Sequence, residues 1–168
     1  MKPVPPTWPP EEPVTLVAAG SSWVSLYPTS RDLADLALPF QTYVRSFLAD
    51  LASRGCTVHI AATRRPAERA WLMRQSWDIV HEGLAPYAVQ AHDPAIPIIW
   101  TYEGAKAMVA AYGLAYRPSL TSLHIRGLAI DMACDGWTGT KSALYHLGAT
   151  HGVIKLISDP PHWSSTGR

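Results

Sequence analysis

The sequence predicts an α+β domain with a small, mainly antiparallel sheet flanked by helices. Three observations lead there. Segments with apolar residues at helical spacing are interspersed with short alternating or β-branched runs. Their order lacks the regular strand–helix–strand alternation that marks a parallel sheet. No internal repeat or linker separates two cores, and 168 residues suit one domain with a sizeable interior.

The elements follow in chain order. Residues 1–29 form a Pro-rich N-terminal segment, extended over the first fourteen or so and packed on the domain that spans 30–168. Ser30 is placed to cap a helical start, and Pro39 suits a first turn. Phe40, Tyr43, Val44, Phe47, Leu48 and Leu51 then recur at helical spacing up to Gly55, a natural stop. "CTVHIAA" (56–62) reads as a strand. Residues 66–83 form a second helix, with Pro66 in its first turn and Gly83 at its end. Residues 84–100 hold three prolines and read as a long loop. Thr101 caps a third helix to Gly113, residues 126–134 form a strand, 139–152 a fourth helix, and "VIKLIS" (153–158) the last strand.

Composition excludes several function classes. A net charge of +1 gives no electrostatic case for nucleic acid or a membrane surface. No stretch approaches the ~18 apolar residues of a membrane span. The start of the chain lacks the apolar core that follows the basic end of a secretory signal, so the chain is read as made in the cytoplasm without one. Cys56 and Cys134 lack metal-type spacing and read as buried free thiols, with a mutual disulfide left open. The seven Trp and seven Tyr bring polar handles as well as area, so some can line a groove although most belong to a core.

Two stretches carry chemistry. In "SLHIRGLAIDM" a loop histidine, His124, precedes Gly127, and Asp131 lies inside the strand that follows. A buried strand would place another Val or Ile at that position. The histidine and the aspartate can converge on one sheet face. In "SDPPHW", Asp159 and His162 flank two prolines, whose fixed φ makes a stiff turn. Such a turn can hold one side chain as a ligand and its neighbour close behind. Two neutral imidazoles and one carboxylate make three zinc ligands, with a fourth position left to water and a free carboxylate to take its proton. Each residue alone has a blander reading: a lone histidine is most often structural, and an Asp at a strand end is most often a cap. On that ground His59, His81, His92, His146 and His151 are assigned nothing. The joint pattern is what raises the metal reading.

"SLHIRGLAIDM" resembles the S-x-H-x-x-G-x-A-x-D signature of the zinc D-alanyl-D-alanine carboxypeptidase family, which includes VanY-like vancomycin-resistance peptidases and the L-alanyl-D-glutamate endopeptidases of phage lysins. Ser122, His124, Gly127, Ala129 and Asp131 match it. "DPPHW" is similar to the second signature of that family through Asp159, His162 and Trp163, and "TRRPAE" resembles its Y-R-S-P-E segment, with Arg64 at the arginine. The resemblance covers residues 36–163. It implies a hedgehog/D-Ala-D-Ala-peptidase-like fold and one zinc held by His124, Asp131 and His162. Asp159 would be the general base. Arg64 would bind a substrate carboxylate or an oxyanion, and Ser122 would hydrogen-bond near the substrate or the ligands. On charge alone Arg64, Arg65 and Arg69 are equivalent. Strand alternation lets only one of Arg64 and Arg65 face the metal, and the resemblance selects Arg64. Trp163 counts among the substrate-binding residues, and Tyr87 and Trp100 are expected in one wall of the cleft.

The implied activity is zinc-dependent cleavage of peptidoglycan stem peptides at bonds involving D-residues. The Asp-type base favours an endopeptidase, endolysin-like or an antibacterial effector. A D,D-carboxypeptidase and a catalytically inactive metal-containing wall-binding module are the alternatives. The expected partner is a stem peptide, with an immunity protein in the producer if the chain is a secreted effector. The chain is expected to be a monomer that acts on the cell wall after holin release or injection.

Overall fold

The computed structural model describes residues 15–90 and 96–168. The extended reading of residues 1–14 and part of the 84–100 segment, His92 included, lie outside the described residues. The elements in chain order are β1 (Val17–Ala18), α1 (Phe40–Ser53), β2 (Thr57–Ala62), α2 (Ala67–His81), α3 (Pro86–Gln90), β3 (Ile98–Ile99), α4 (Tyr102–Tyr112), β4 (Ala129–Asp135), α5 (Lys141–Thr150), β5 (Ile154–Lys155) and β6 (His162–Ser164). Two short 3₁₀ turns, Ser21–Ser25 and Leu33–Asp35, precede α1.

The main sheet has the order β2–β4–β6–β5, every pair antiparallel. β1 and β3 form a separate parallel pair. The sheet is therefore the small antiparallel one that the sequence predicts, flanked by helices.

Local causes match the sequence closely in α4 and α5. Thr101 Oγ1 accepts the Gly104 N–H, and Thr140 Oγ1 accepts the Ala143 N–H, each relieving an unpaired donor at a helix start. Pro39 precedes α1 and does not sit in its first turn. Ser30 caps no α-helix: its hydroxyl accepts the Asp32 N–H, and Asp32 in turn caps a 3₁₀ turn. Pro66 precedes α2 and does not sit in its first turn. The 84–100 segment is not all loop, because it contains α3 and the two residues of β3 that pair with β1. "VIKLIS" yields only two strand residues, and the closing strand is β6, in the segment read as a stiff turn.

The period of two along β4 explains the aspartate in a strand. Ile130 and Met132 point into a core with Phe40, Val44, Phe47 and Leu51 of α1, Val153, and Trp163 of β6. Burying each of these large side chains contributes about 1.5–3 kcal/mol. Asp131 lies between Ile130 and Met132 and so faces the opposite side of the sheet. A second core joins α2 and α4 through Leu72, Ile79, Ala105 and Met108, and draws in Trp23, Ile98 and Trp100. Residues 15–29 thus contribute Trp23 to the interior.

Candidate metal centre and the cavity around it

β4 and β6 bring two of the three predicted ligands together by register: Asp131 stands directly opposite His162. His124 reaches the same point from the loop before β4. That loop is a tight turn closed by a Gly127 N–H to His124 O bond and a Leu128 N–H to Leu123 O bond. Gly127 has φ +67°, the left-handed conformation that ends such a turn. A Cβ there would meet Ala37 N at 2.9 Å and Asp35 O at 3.0 Å, so both the backbone angle and the space require glycine.

The three donor atoms form a nearly equilateral triangle. His124 Nε2 lies 3.1 Å from Asp131 Oδ1 and 3.2 Å from His162 Nδ1, and His162 Nδ1 lies 3.1 Å from Asp131 Oδ1. Both histidines are buried. The hydrogen count decides what this triangle can be. His124 Nδ1 donates to Thr63 O at 2.6 Å, which leaves Nε2 as a bare lone pair. It faces a carboxylate oxygen that also offers only lone pairs. Burial pushes the Asp131 carboxyl up, and positive charge at the facing imidazole nitrogens, whether a proton or a metal ion, holds it well below the usual carboxylate range. Two acceptors at 3.1 Å need something positive between them. A proton on His124 Nε2 would supply it only by burying a further ionised group.

A cation satisfies all three edges at once. Bonds of ~2.0–2.1 Å at tetrahedral angles place donors roughly 3.3–3.4 Å apart, within a few tenths of an ångström of the observed triangle. Two imidazole nitrogens and one carboxylate oxygen suit zinc. These three residues are the group of His, Cys, Asp or Glu side chains among the described residues whose donor atoms converge closely enough for a metal.

The triangle opens into a cavity of about 670 Å³. Its walls include Ser122, Arg65, Arg126, Asp159 and Arg168. Ser122 Oγ accepts the His124 N–H at 3.4 Å, on the ligand loop as expected. Asp159 is exposed and stands outside the metal group, in the turn that its carbonyl closes by accepting the His162 N–H.

Four expectations are corrected. Arg65 lines the cavity, whereas Arg64 is exposed and borders a separate hollow with Pro28, Ser30 and Asp35. Alternation does separate the two arginines, but the resemblance selects the wrong one. β2 carries an irregularity against β4, with Ile60 opposite Met132 and Ala62 opposite Asp131, so two steps on one strand meet one on the other. Beyond it the chain is held by Thr63 N to Ser30 O, Ser30 N to Arg64 O and Arg65 N to His124 O. Arg65 is thereby tied to the ligand loop. Its Nε is buried without a hydrogen-bond partner among the described residues. Burial pushes its guanidinium down, and the Asp131 charge opposes that.

Trp163 follows His162 on the strand and so faces the other side, packed against Phe47 and Tyr145 in the α1 core and outside the wall of the cavity at the metal group. Trp100 is buried in the second core with its ring edge on Trp71, and it is not part of the wall of the cavity at the metal group. Tyr87 is 79% exposed and lies outside the cavity wall.

Sequence reasoning missed Arg126, Arg168 and the Thr63 carbonyl. The carbonyl leaves no trace in residue type. It also passed over Lys155, although a charge inside "VIKLIS" is as anomalous as Asp131 in its own strand.

No family model matches the chain, and no curated protein matches it. Among the solved structures that align with it are two vancomycin-resistance peptidases. One is a mutant of the vancomycin-resistance D,D-pentapeptidase VanY from a VanB-type resistance cassette, in complex with Zn(II); it is 19% identical, over 77% of this chain and 71% of that one, with a TM-score of 0.40. The other is VanYB in complex with D-alanine-D-alanine, 17% identical over 89% of this chain and 85% of that one, with a TM-score of 0.41.

Proposed function

We propose that the chain is a zinc-dependent peptidase acting on peptidoglycan stem peptides. The observation that carries the hydrolytic reading is the free carboxylate of Asp159 in the same cavity as a closed triangle of two imidazoles and one ionised carboxylate. The substrate class rests on the two motifs that resemble the D-alanyl-D-alanine carboxypeptidase family.

His124, Asp131 and His162 would hold a zinc ion, which when bound would supply Lewis acidity and an acidic water. The side chains of the protein do the rest. Thr63 O fixes the His124 tautomer, so Nε2 faces the ion. Asp159 takes a proton and returns it to the leaving amine. Arg65, on the cavity wall, offers its planar guanidinium to a carbonyl oxygen gaining negative charge or to a substrate carboxylate. The cavity mouth carries Arg126 and Arg168, which suit an anionic peptide.

Cleavage within the stem or cross-link is the first reading, from the aspartate base. Removal of a C-terminal D-residue is the second, favoured by one observation: the half-buried guanidinium of Arg65 on the cavity wall can clamp a terminal carboxylate. A non-catalytic wall-binding role is disfavoured by Asp159. No described helix is long and apolar enough to cross a membrane, and action on the cell wall belongs to this proposal. Digestion of purified peptidoglycan, with and without a chelator, followed by mass analysis of the fragments tests all three. Release of internal fragments supports the first reading and release of single residues the second. No chelator-sensitive release rejects both.

A further inference from the structure

Lys155, on β5, is a charged side chain in an apolar run, and it is 9% exposed. Its Nζ donates to three backbone carbonyls: Leu156 O at 2.6 Å, Asp159 O, and His162 O at 2.9 Å. An ammonium has three donors and no acceptor, so this set uses its whole capacity. The Trp163 ring lies 5.6 Å from the same nitrogen. A buried ammonium is costly unless it is fully hydrogen-bonded, which makes the tripod a built feature. Burial pushes its pKa down, and the charges of Asp159 and Asp131 oppose the shift.

Two of the carbonyls, Leu156 and Asp159, belong to the loop that joins β5 to β6, and the third, His162, opens β6. This loop presents Asp159 to the cavity and delivers His162 to the metal triangle. The prolines at 160 and 161 restrict φ inside the loop but cannot fix its ends to each other. The backbone joins them through Leu156 N–H to His162 O, with Asp159 N–H to Leu156 O and His162 N–H to Asp159 O between, and the lysine adds a charged grip from inside on the same three carbonyls.

We propose that Lys155 is a positioning residue: its ammonium, by holding the carbonyls of Leu156, Asp159 and His162, sets the relative placement of the Asp159 carboxylate and the His162 imidazole. This rests on the functional reading above for Asp159, but not for His162. No apolar residue of similar length can substitute, because each of the three carbonyls would keep only its backbone donor and lose the ammonium that links it to the other two.

The test uses Lys155→Met and Lys155→Gln in the full chain, with folding checked by circular dichroism. Cobalt(II) is titrated into the metal-free protein and its visible absorption is read. Turnover is measured on stem peptides, alone and combined with Asp159→Asn. The expected result is a folded Lys155→Met protein with cobalt affinity lower by ~10–100-fold, the usual scale for residues that orient ligands. Its kcat should fall at nearly constant KM, and Lys155→Met should cost little more once Asp159 is Asn, since a residue acting through Asp159 is not additive with it. Should Lys155→Met fail to fold, Lys155→Gln, which keeps two donors, is read in the same titration and should fall between the extremes. Cobalt affinity and spectrum unchanged in a folded variant, or full additivity with Asp159→Asn, would overturn the proposal. If the native chain binds cobalt yet cleaves no peptide, the peptidase reading fails, and the cobalt titration still decides the role of Lys155.

Discussion

Replacing Gly127 by alanine perturbs the metal loop without touching a ligand. The new Cβ would sit 2.9 Å from Ala37 N and 3.0 Å from Asp35 O, both backbone atoms that cannot swing aside. The left-handed φ adds about 1–2 kcal/mol for a residue with a side chain. Overpacking against fixed atoms adds about 1–3 kcal/mol. The sum, about 2–5 kcal/mol, corresponds to a fall in Tm of roughly 6–15 °C for a chain of this size. Gly83→Ala is the control: its φ is +72°, yet a Cβ there meets nothing within 4 Å. It should pay only the backbone cost, roughly 3–6 °C. Thermal unfolding by circular dichroism reads both. Zinc titration should show weaker binding for Gly127→Ala and unchanged binding for Gly83→Ala, because only Gly127 closes the turn that carries His124. Equal Tm shifts in the two variants would refute the close-approach argument.

Asp159→Asn should keep its zinc while turnover falls by ~10²–10⁴-fold, the scale of a positioned general base; near-normal activity in a peptide-release assay would assign the base elsewhere. Arg65→Lys should lower kcat/KM at least tenfold, about the cost of one lost charged hydrogen bond, while Arg64→Lys should be nearly silent; equal losses in the same assay would contradict the cavity assignment. Asp78 is buried between Arg74 and Arg117: burial raises its pKa, but the two guanidiniums outweigh that and lower it overall. Because its folded pKa is depressed, its contribution is present above the unfolded value of about 3.9 and is lost as pH falls through the folded value. Urea unfolding should therefore show Asp78→Asn destabilised at pH 7 and converging on the native chain at pH 3; a gap that stays constant with pH would reject this.

The sequence exposes its ligands because they are anomalies. Asp131 interrupts an apolar strand, and His124 with Gly127 marks a turn that only glycine completes. Helix caps at Thr101 and Thr140 are equally legible, since the capping oxygen is part of the residue type. What stays hidden depends on backbone parity and tertiary pairing. The irregularity in β2 decides which of Arg64 and Arg65 reaches the cavity, and no residue type announces it. β6 is three residues long and follows two prolines, so its pattern is too short to separate from a turn. Trp163 and Trp100 look alike as large aromatics; only the strand face of one and the second core around the other send both inward.

The most direct test of the central claim is the zinc content of the purified chain, measured by elemental analysis after dialysis, for the native protein, His124→Ala and Asp159→Asn. The account predicts one zinc per chain in the native protein and in Asp159→Asn, and none retained in His124→Ala. A native chain without stoichiometric zinc, or an Asp159→Asn variant that loses it, would contradict the assignment of His124, Asp131 and His162 as the metal ligands.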